Sequence, residues 1–288
     1  MATQAPGAAA LAFVPGLPPG AAPLHLERLE GGSVNHVWRV DTAAGRFVLR
    51  VDGEAWRRPG VDRGRERMLH GTAAAAGLAP RVVAHSPALD VWVMEYLDGA
   101  RWRDEDFADA ERLSRLGATL AVLHRLPLPA GEVRASALPR FNPVAMARDY
   151  GQRALRLLPE RRDCVELLEE RVRLADWELT VHQTDLAIVH GDPAANNVLG
   201  SERLWLVDWE YAQVADPVFD AAAVLVYHPA ARVHLQRWLR ACGQGAALRD
   251  GRLRWAATIH DALLWLWRMA RGENVPADAG ISEPDWAN

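Results

Sequence analysis

The chain has 288 residues, half of them hydrophobic, and a formal net charge of -4. That is enough apolar material for one large domain or two modest lobes, and the acidic balance removes any electrostatic case for binding nucleic acid. There is no lysine: all 33 basic residues are arginine, so any role that needs a fixed cation falls to a guanidinium.

Residues 1–23 are rich in Ala, Pro and Gly and nearly uncharged, which predicts a poorly ordered tail or an edge segment. No basic region precedes an apolar stretch there, and Pro15, Pro18, Pro19 and Pro23 interrupt it, so a signal peptide is not expected. No apolar run reaches the ~20 residues of a membrane helix. Cys164 and Cys242 have no motif spacing and suit a reducing compartment. A cytoplasmic protein without a membrane span is the expectation.

Strand signals follow. Val37–Val40 precedes a turn at Ala44-Gly45, after which Phe47, Leu49 and Val51 alternate with Val48, Arg50 and Asp52. This predicts a hairpin with one buried face. Residues 62–77 read as a helix ended by Gly77 and Pro80. Residues 81–84 and 91–96 are two further short apolar strands. Residues 24–98 therefore form a small, mostly antiparallel lobe with one helix.

The texture changes after Asp98-Gly99. Leu113, Leu116, Leu120 and Leu123 recur at helical spacing, as do Val165, Leu168, Val172, Ala175 and Leu179. Residues 221–227 and 255–271 read as buried helices. Short apolar strands interrupt this helical half near 187–208. The plan is α+β: a strand-rich lobe, a short link, and a large helical lobe over 99–288. Such a plan places a ligand cleft at the link.

The strongest chemical signal is the run Ile188-Val189-His190-Gly191-Asp192-Pro193-Ala194-Ala195-Asn196-Asn197, followed by Val207-Asp208-Trp209-Glu210. Apolar strands here deliver two carboxylates and an amide to one place. Magnesium takes oxygen ligands, often one or two protein carboxylates together with substrate phosphates. Phosphoryl transfer also needs a carboxylate to orient and deprotonate the attacking hydroxyl.

The H-G-D-x-x-x-x-N and D-W-E pair resembles the catalytic and metal loops of the aminoglycoside phosphotransferase and choline kinase superfamily. The resemblance spans roughly residues 26–271. It implies a protein-kinase-like two-lobe fold, ATP and magnesium as cofactors, Asp192 as catalytic base, and Asn197 and Asp208 as metal ligands. His190 and Asp220 take structural roles in the site, with Asp220 holding the catalytic-loop backbone. His124 is likewise a packing residue. Gly31, Gly32, Ser33 and Asn35 fall where the family covers the nucleotide phosphates. Glycines let backbone N–H groups approach phosphate oxygens. Arg50 stands where protein kinases carry lysine, and Glu66 matches its helix partner. Glu95 and Leu97, in Met94-Glu95-Tyr96-Leu97, match the link whose backbone holds adenine.

For the acceptor, Asp208-Trp209-Glu210-Tyr211-Ala212 resembles choline, ethanolamine and thiamine kinases. The segment Leu263-Leu264-Trp265-Leu266-Trp267 resembles a choline kinase segment whose tryptophans cage a quaternary ammonium. Glu210, Tyr211, Asp261, Trp265 and Trp267 are the substrate candidates. Tryptophans two apart on a helix point to different sides, which leaves cage and core both open for each. A small alcohol is the expected partner: choline or ethanolamine first, thiamine second, an amino sugar or aminoglycoside as the alternative. Asp278, Glu283 and Asp285 offer the acidic tail that aminoglycosides favour. A nucleotide-binding pseudokinase that regulates a partner is the alternative of another class. The oligomeric state is open.

Overall fold

A computed structural model describes residues 5–29, 35–52, 61–129, 138–182, 186–273, 275–276 and 286. The expected glycine loop at Gly31, Gly32 and Ser33, and the tail carboxylates Asp278, Glu283 and Asp285, lie outside the described residues.

The first lobe is a five-stranded antiparallel sheet. Its strands are β1 (His25–Arg28), β2 (His36–Thr42), β3 (Gly45–Val51), β4 (Val82–Ser86) and β5 (Val91–Glu95), in the order β1-β2-β3-β5-β4. The β2–β3 register pairs Trp38 with Leu49 and Val40 with Phe47. Period-two alternation sends these four side chains to one buried face. A short helix, α1 (Ala8–Leu11), lies against that face with Ala10 and Val14 buried. The Thr42 hydroxyl donates to the Pro15 carbonyl at 2.8 Å. The described part of the proline-rich start is thus packed onto the sheet, where its composition suggests a loose segment. Ala10 and Val14, with Leu11, Phe13 and Leu17 packed beside them, hold it to the sheet.

The opposite face of the sheet carries Val37, Val48, Arg50 and Met94 toward the second lobe. Helix α2 (Arg63–Ala75) packs beside it. Asp62 caps its N-terminus by accepting from the Arg65 N–H, and Gly77 (φ 73°) follows its end.

The larger lobe is built on α3 (Ala110–Leu123), α4 (Pro143–Leu157), α5 (Arg162–Val181), α6 (Val218–Tyr227), α7 (Leu235–Ala241) and α8 (Arg252–Met269). Two small antiparallel ribbons are set among them: β6 (Ala187–Val189) with β9 (Gln213–Ala215), and β7 (Val198–Leu199) with β8 (Trp205–Leu206). Ala187, Ile188 and Val189 are all buried, so this strand reads as continuously apolar instead of alternating. The link after β5 runs along the second ribbon, with Trp102 N–H donating to the Val198 carbonyl at 3.0 Å.

Four aromatic rings stand in series between the lobes. Trp92 of β5 stacks on His70 of α2 (6.1 Å), His70 on Trp209 (6.0 Å), and Trp209 meets His190 edge-on (4.8 Å). Burial pushes both histidines below the usual imidazole range, so the column packs as neutral rings. It ties β5 and α2 to the loops that carry the candidate chemistry.

Candidate active site

The loop from His190 to Asn197 joins β6 to β7, and Asp208 follows β8. Gly191 sits at φ 79°, and a Cβ there would collide with the Tyr211 carbonyl. Only glycine fits this turn. Asp220, the third residue of α6, accepts from the His190 N–H (2.9 Å) and the Gly191 N–H (2.8 Å). His124 Nε2 lies 2.9 Å from the same carboxylate. Burial works against its charge, but His124 and these backbone donors hold Asp220 below the ordinary carboxylate range. His190 faces Val207, with Nε2 3.0 Å from that carbonyl.

Asn197 donates its side-chain nitrogen to Asp192, at 2.9 Å from both the backbone carbonyl and Oδ2. The amide oxygen is then the atom that would be offered to a cation. Asp208 has a left-handed backbone (φ 62°, ψ 68°), a costly conformation for a residue with a Cβ. Its Oδ1 is buried and has no hydrogen-bond partner among the described residues. Burial, reinforced by the nearby Glu210 charge, raises the Asp208 carboxyl to about 7. A buried, orphaned carboxylate oxygen beside an amide oxygen is a donor set that suits a hard cation such as magnesium.

Arg50 is buried at the centre of an ion cluster. Nη1 donates to Glu66 Oε1 at 2.6 Å, and Nε lies 3.0 Å from Asp52 Oδ1. The Trp92 ring is 4.7 Å from its guanidinium carbon. Nη2 has no hydrogen-bond partner among the described residues. Glu66 is held below the ordinary carboxylate range: burial opposes this, but Arg50 and Arg63 outweigh it. Asp52 moves the other way, to about 6, because burial exceeds the pull of the same two arginines.

Two residues of this cluster escape sequence reasoning, Asp52 and Arg63. Arg63 Nε lies 2.9 Å from Asp52 Oδ2 and Nη1 lies 2.6 Å from Glu66 Oε2. Arg50 and Arg63 face four carboxylates, Asp52, Glu66, Asp208 and Glu210.

Two adjoining cavities open on this centre. The smaller, about 250 Å³, is bounded by Val37, Val48, Arg50, the Glu95–Leu97 link and Trp209. The Glu95 side chain itself turns to Arg81, accepting from its Nε at 2.9 Å. The larger, about 520 Å³, contains Asp192, Glu210, Tyr211, Tyr227, Leu264 and Trp267. Asn35, Asn196, Asn197 and Asp208 line both. Of the four tyrosines in the chain, Tyr150, Tyr211 and Tyr227 all face the larger one.

The substrate candidates on α8 divide by helical face. His260, Leu263, Leu264 and Trp267 line the larger cavity. Asp261 and Trp265 do not. Asp261 lies 4.0 Å from Arg171 of α5, and Arg268 covers the Trp265 ring at 5.1 Å. Two residues along a helix is more than half a turn, so when Trp267 faces the cavity Trp265 points away from it, on the face that carries Asp261. Of these three candidates, for whose tryptophans the sequence leaves cage and core open, Trp267 is the one that lines the larger cavity. Glu210 lines the cavity but is also engaged: Oε2 accepts from Asn35 Nδ2 at 3.2 Å. Met146 and Tyr150 of α4 complete the wall. Their signal in the sequence is the Asn142-Pro143 helix start and apolar positions three and four apart.

The chain belongs to the phosphotransferase enzyme family, which it matches over residues 25–266. Among solved structures it is similar to a choline/ethanolamine kinase family protein from Mesorhizobium loti, at 28% identity and a TM-score of 0.72 over 97% of this chain and 95% of that one. It is also similar to the choline kinase LicA from Streptococcus pneumoniae, at 19% identity and a TM-score of 0.70 over 90% of each chain. A spectinomycin phosphotransferase solved with ADP and spectinomycin matches at 12% identity and a TM-score of 0.60, over 90% of this chain and 87% of that one. The last two likenesses speak for the fold. The chain is a small-molecule phosphotransferase with a kinase-like two-lobe fold. Among the described residues, no helix is long and apolar enough to cross a membrane.

Proposed function

We propose that the chain is an ATP- and magnesium-dependent kinase that phosphorylates the hydroxyl of a small cationic alcohol, with choline or ethanolamine first. The observation that carries this is the pair of cavities sharing Asn197 and Asp208, with Asp192 opening on the larger one alone. A nucleotide in the smaller cavity would direct its phosphates at Arg50, whose Nη2 is available for a phosphate oxygen. The LicA structure with AMP and the spectinomycin enzyme with ADP support a nucleotide in this fold. Asn197 and Asp208 would hold magnesium, which supplies charge neutralisation between the phosphate oxygens. Asp192 accepts the proton of the acceptor hydroxyl as its oxygen bonds to the γ-phosphorus and ADP departs. The fold's part is alignment of the two cavities.

The class of acceptor follows from where the charges stand. Among the described residues the carboxylates of the larger cavity are Asp192, Asp208 and Glu210, all at the catalytic end. The rest of the described lining includes the aromatic and aliphatic side chains of Phe141, Phe219, Tyr227, Leu264 and Trp267, with Gln213 and His260 as uncharged polar groups. A single cation on an apolar body suits that wall. Against the described residues alone, a polyamine would bring further ammonium groups to surfaces that offer no further carboxylate, at a desolvation cost. The cavity volume of about 520 Å³ lies within the ~300–1,000 Å³ range of drug-sized ligands, which supports thiamine as the second reading. The presence of Asp192, Asn197 and Asp208 together argues against a pseudokinase.

The test is ATP consumption by the purified protein with magnesium, across choline, ethanolamine, thiamine, an amino sugar and an aminoglycoside. Turnover with a cationic alcohol is expected. Preference for a neutral sugar overturns the acceptor class, and no turnover with any acceptor overturns the kinase reading.

Trp267 gives a second expectation. Arg271 occupies one side of its ring, 4.7 Å away, which leaves the other for the acceptor. Trp267→Ala should raise the acceptor KM by roughly 2- to 30-fold, the equivalent of a ~0.5–2 kcal/mol cation–π contact, with the ATP KM little changed. Trp265→Ala should lower the melting temperature and leave both KM values alone. The reverse pattern would exchange their places.

A further inference from the structure

The Arg63 guanidinium reaches more of the site than any one step of the transfer requires. It is the first residue of α2, and its side chain is only 13% exposed. A cation at a helix N-terminus opposes the helix dipole, so the helix does not account for this placement. The surrounding acceptors do. Nε meets Asp52 Oδ2 at 2.9 Å. Nη1 meets Glu66 Oε2 at 2.6 Å and Glu210 Oε2 at 3.4 Å. Nη2 donates to Asn35 Oδ1 at 3.3 Å, and Asn35 Nδ2 closes the ring by donating to Glu210 Oε2 at 3.2 Å.

These contacts fall on two sides. Glu66 holds Arg50 with its other oxygen, at 2.6 Å, and Arg50 lines the smaller cavity. Glu210 lines the larger cavity, and Asn35 lines both. We propose that Arg63 is a positioning residue that couples the two cavities, joining the Arg50–Glu66 pair on the nucleotide side to Glu210 on the acceptor side. The inference rests on the kinase reading above. Nucleotide that draws on Arg50 shifts Glu66, and the shared guanidinium passes the change to Glu210 and the backbone beside it. Arginine is needed because Nη1 and Nη2 donate in separate directions while Nε stands 2.9 Å from Asp52 Oδ2. A lysine would supply one charged point.

A purely structural ion cluster would also hold the lobes together, so the readout must be the response at the far side. Amide hydrogen exchange is measured with saturating non-hydrolysable ATP analogue in EDTA, so that no cation links the nucleotide to Asp208. In the wild-type chain the analogue should slow exchange both in residues 37–50 and in residues 209–213. In Arg63→Gln it should slow exchange in 37–50 only, with the melting temperature reporting that the fold is retained. Should Arg63→Gln fail to fold, Arg63→Lys carries the test with the same expectation. Wild-type-like slowing at 209–213 in a folded Arg63 variant overturns the proposal. Slowing at 37–50 but not at 209–213 in the wild-type chain overturns it as well, while leaving the kinase reading in place. No slowing at either segment in the wild-type chain overturns the coupling, and the kinase reading is then decided by the turnover screen with magnesium.

Discussion

Asp192→Asn is expected to reduce the rate of transfer by ~10²–10⁴-fold, the usual loss for a general base, while nucleotide affinity and melting temperature stay near the wild-type values. The geometry gives the reason. Asp192 lines the larger cavity, and one carboxylate oxygen is fixed by Asn197 at 2.9 Å. In the proposed reaction the carboxylate meets the acceptor hydroxyl. An asparagine can keep its amide oxygen on Asn197, so the loop retains its shape. It then presents an NH₂ group to the acceptor, which cannot take a proton. Steady-state turnover with the best acceptor from the screen, together with a nucleotide titration, checks this. Turnover close to wild type would remove Asp192 from the role of base.

Asp208→Asn should have two effects of opposite sign. Activity should be lost or require far more magnesium, since an amide is a poorer ligand for a hard cation than a carboxylate. Metal-free stability should rise at alkaline pH. Burial and Glu210 raise the Asp208 carboxyl from 3.8 to about 7 in the fold. The folded state therefore favours the protonated form. That contribution is fully present below pH 3.8 and is lost as pH rises through 7. At pH 8 in EDTA the wild-type chain buries an ionised carboxylate and the Asn variant does not. Asparagine also tolerates the left-handed backbone found here. The variant should melt higher by ~2–4 °C for each kcal/mol of relief, and added magnesium should raise the wild type but not the variant. A variant that melts lower under these conditions would mean that Arg50 already satisfies the ionised form.

Much of this site was legible in the sequence because its geometry is local. His190 to Asn197 is one loop, and the apolar strands beside it announce themselves by composition. Helix α2 was bounded by Asp62 and Gly77, which act on the backbone within a turn. The hairpin at Ala44-Gly45 needed only period-two alternation. What stayed hidden depends on distant contacts. Arg63 and Asp52 look like ordinary surface charges until α2 and β3 are brought together. Helix α4 offers little apolar contrast, since four of its buried positions are Ala147, Gly151, Ala154 and Pro143. Its Gly151 is required by the close approach of Glu169 and Val165 on α5, a reason visible only after packing. Helical spacing separates Trp265 from Trp267 but does not say which one meets the cavity.

The guanidinium at position 50 has a practical consequence for finding this protein in a cell extract. Covalent reagents that tag nucleotide sites by acylating a lysine amine rely on an uncharged minority of that amine to attack. Arg50 supplies no such nucleophile, because its charge is strengthened by Glu66 and Asp52 despite the opposing effect of burial. No lysine exists elsewhere in the chain to substitute. A lysine-directed survey of nucleotide-binding proteins should pass over this one even when its cleft is full, whereas capture on immobilised nucleotide should retain it.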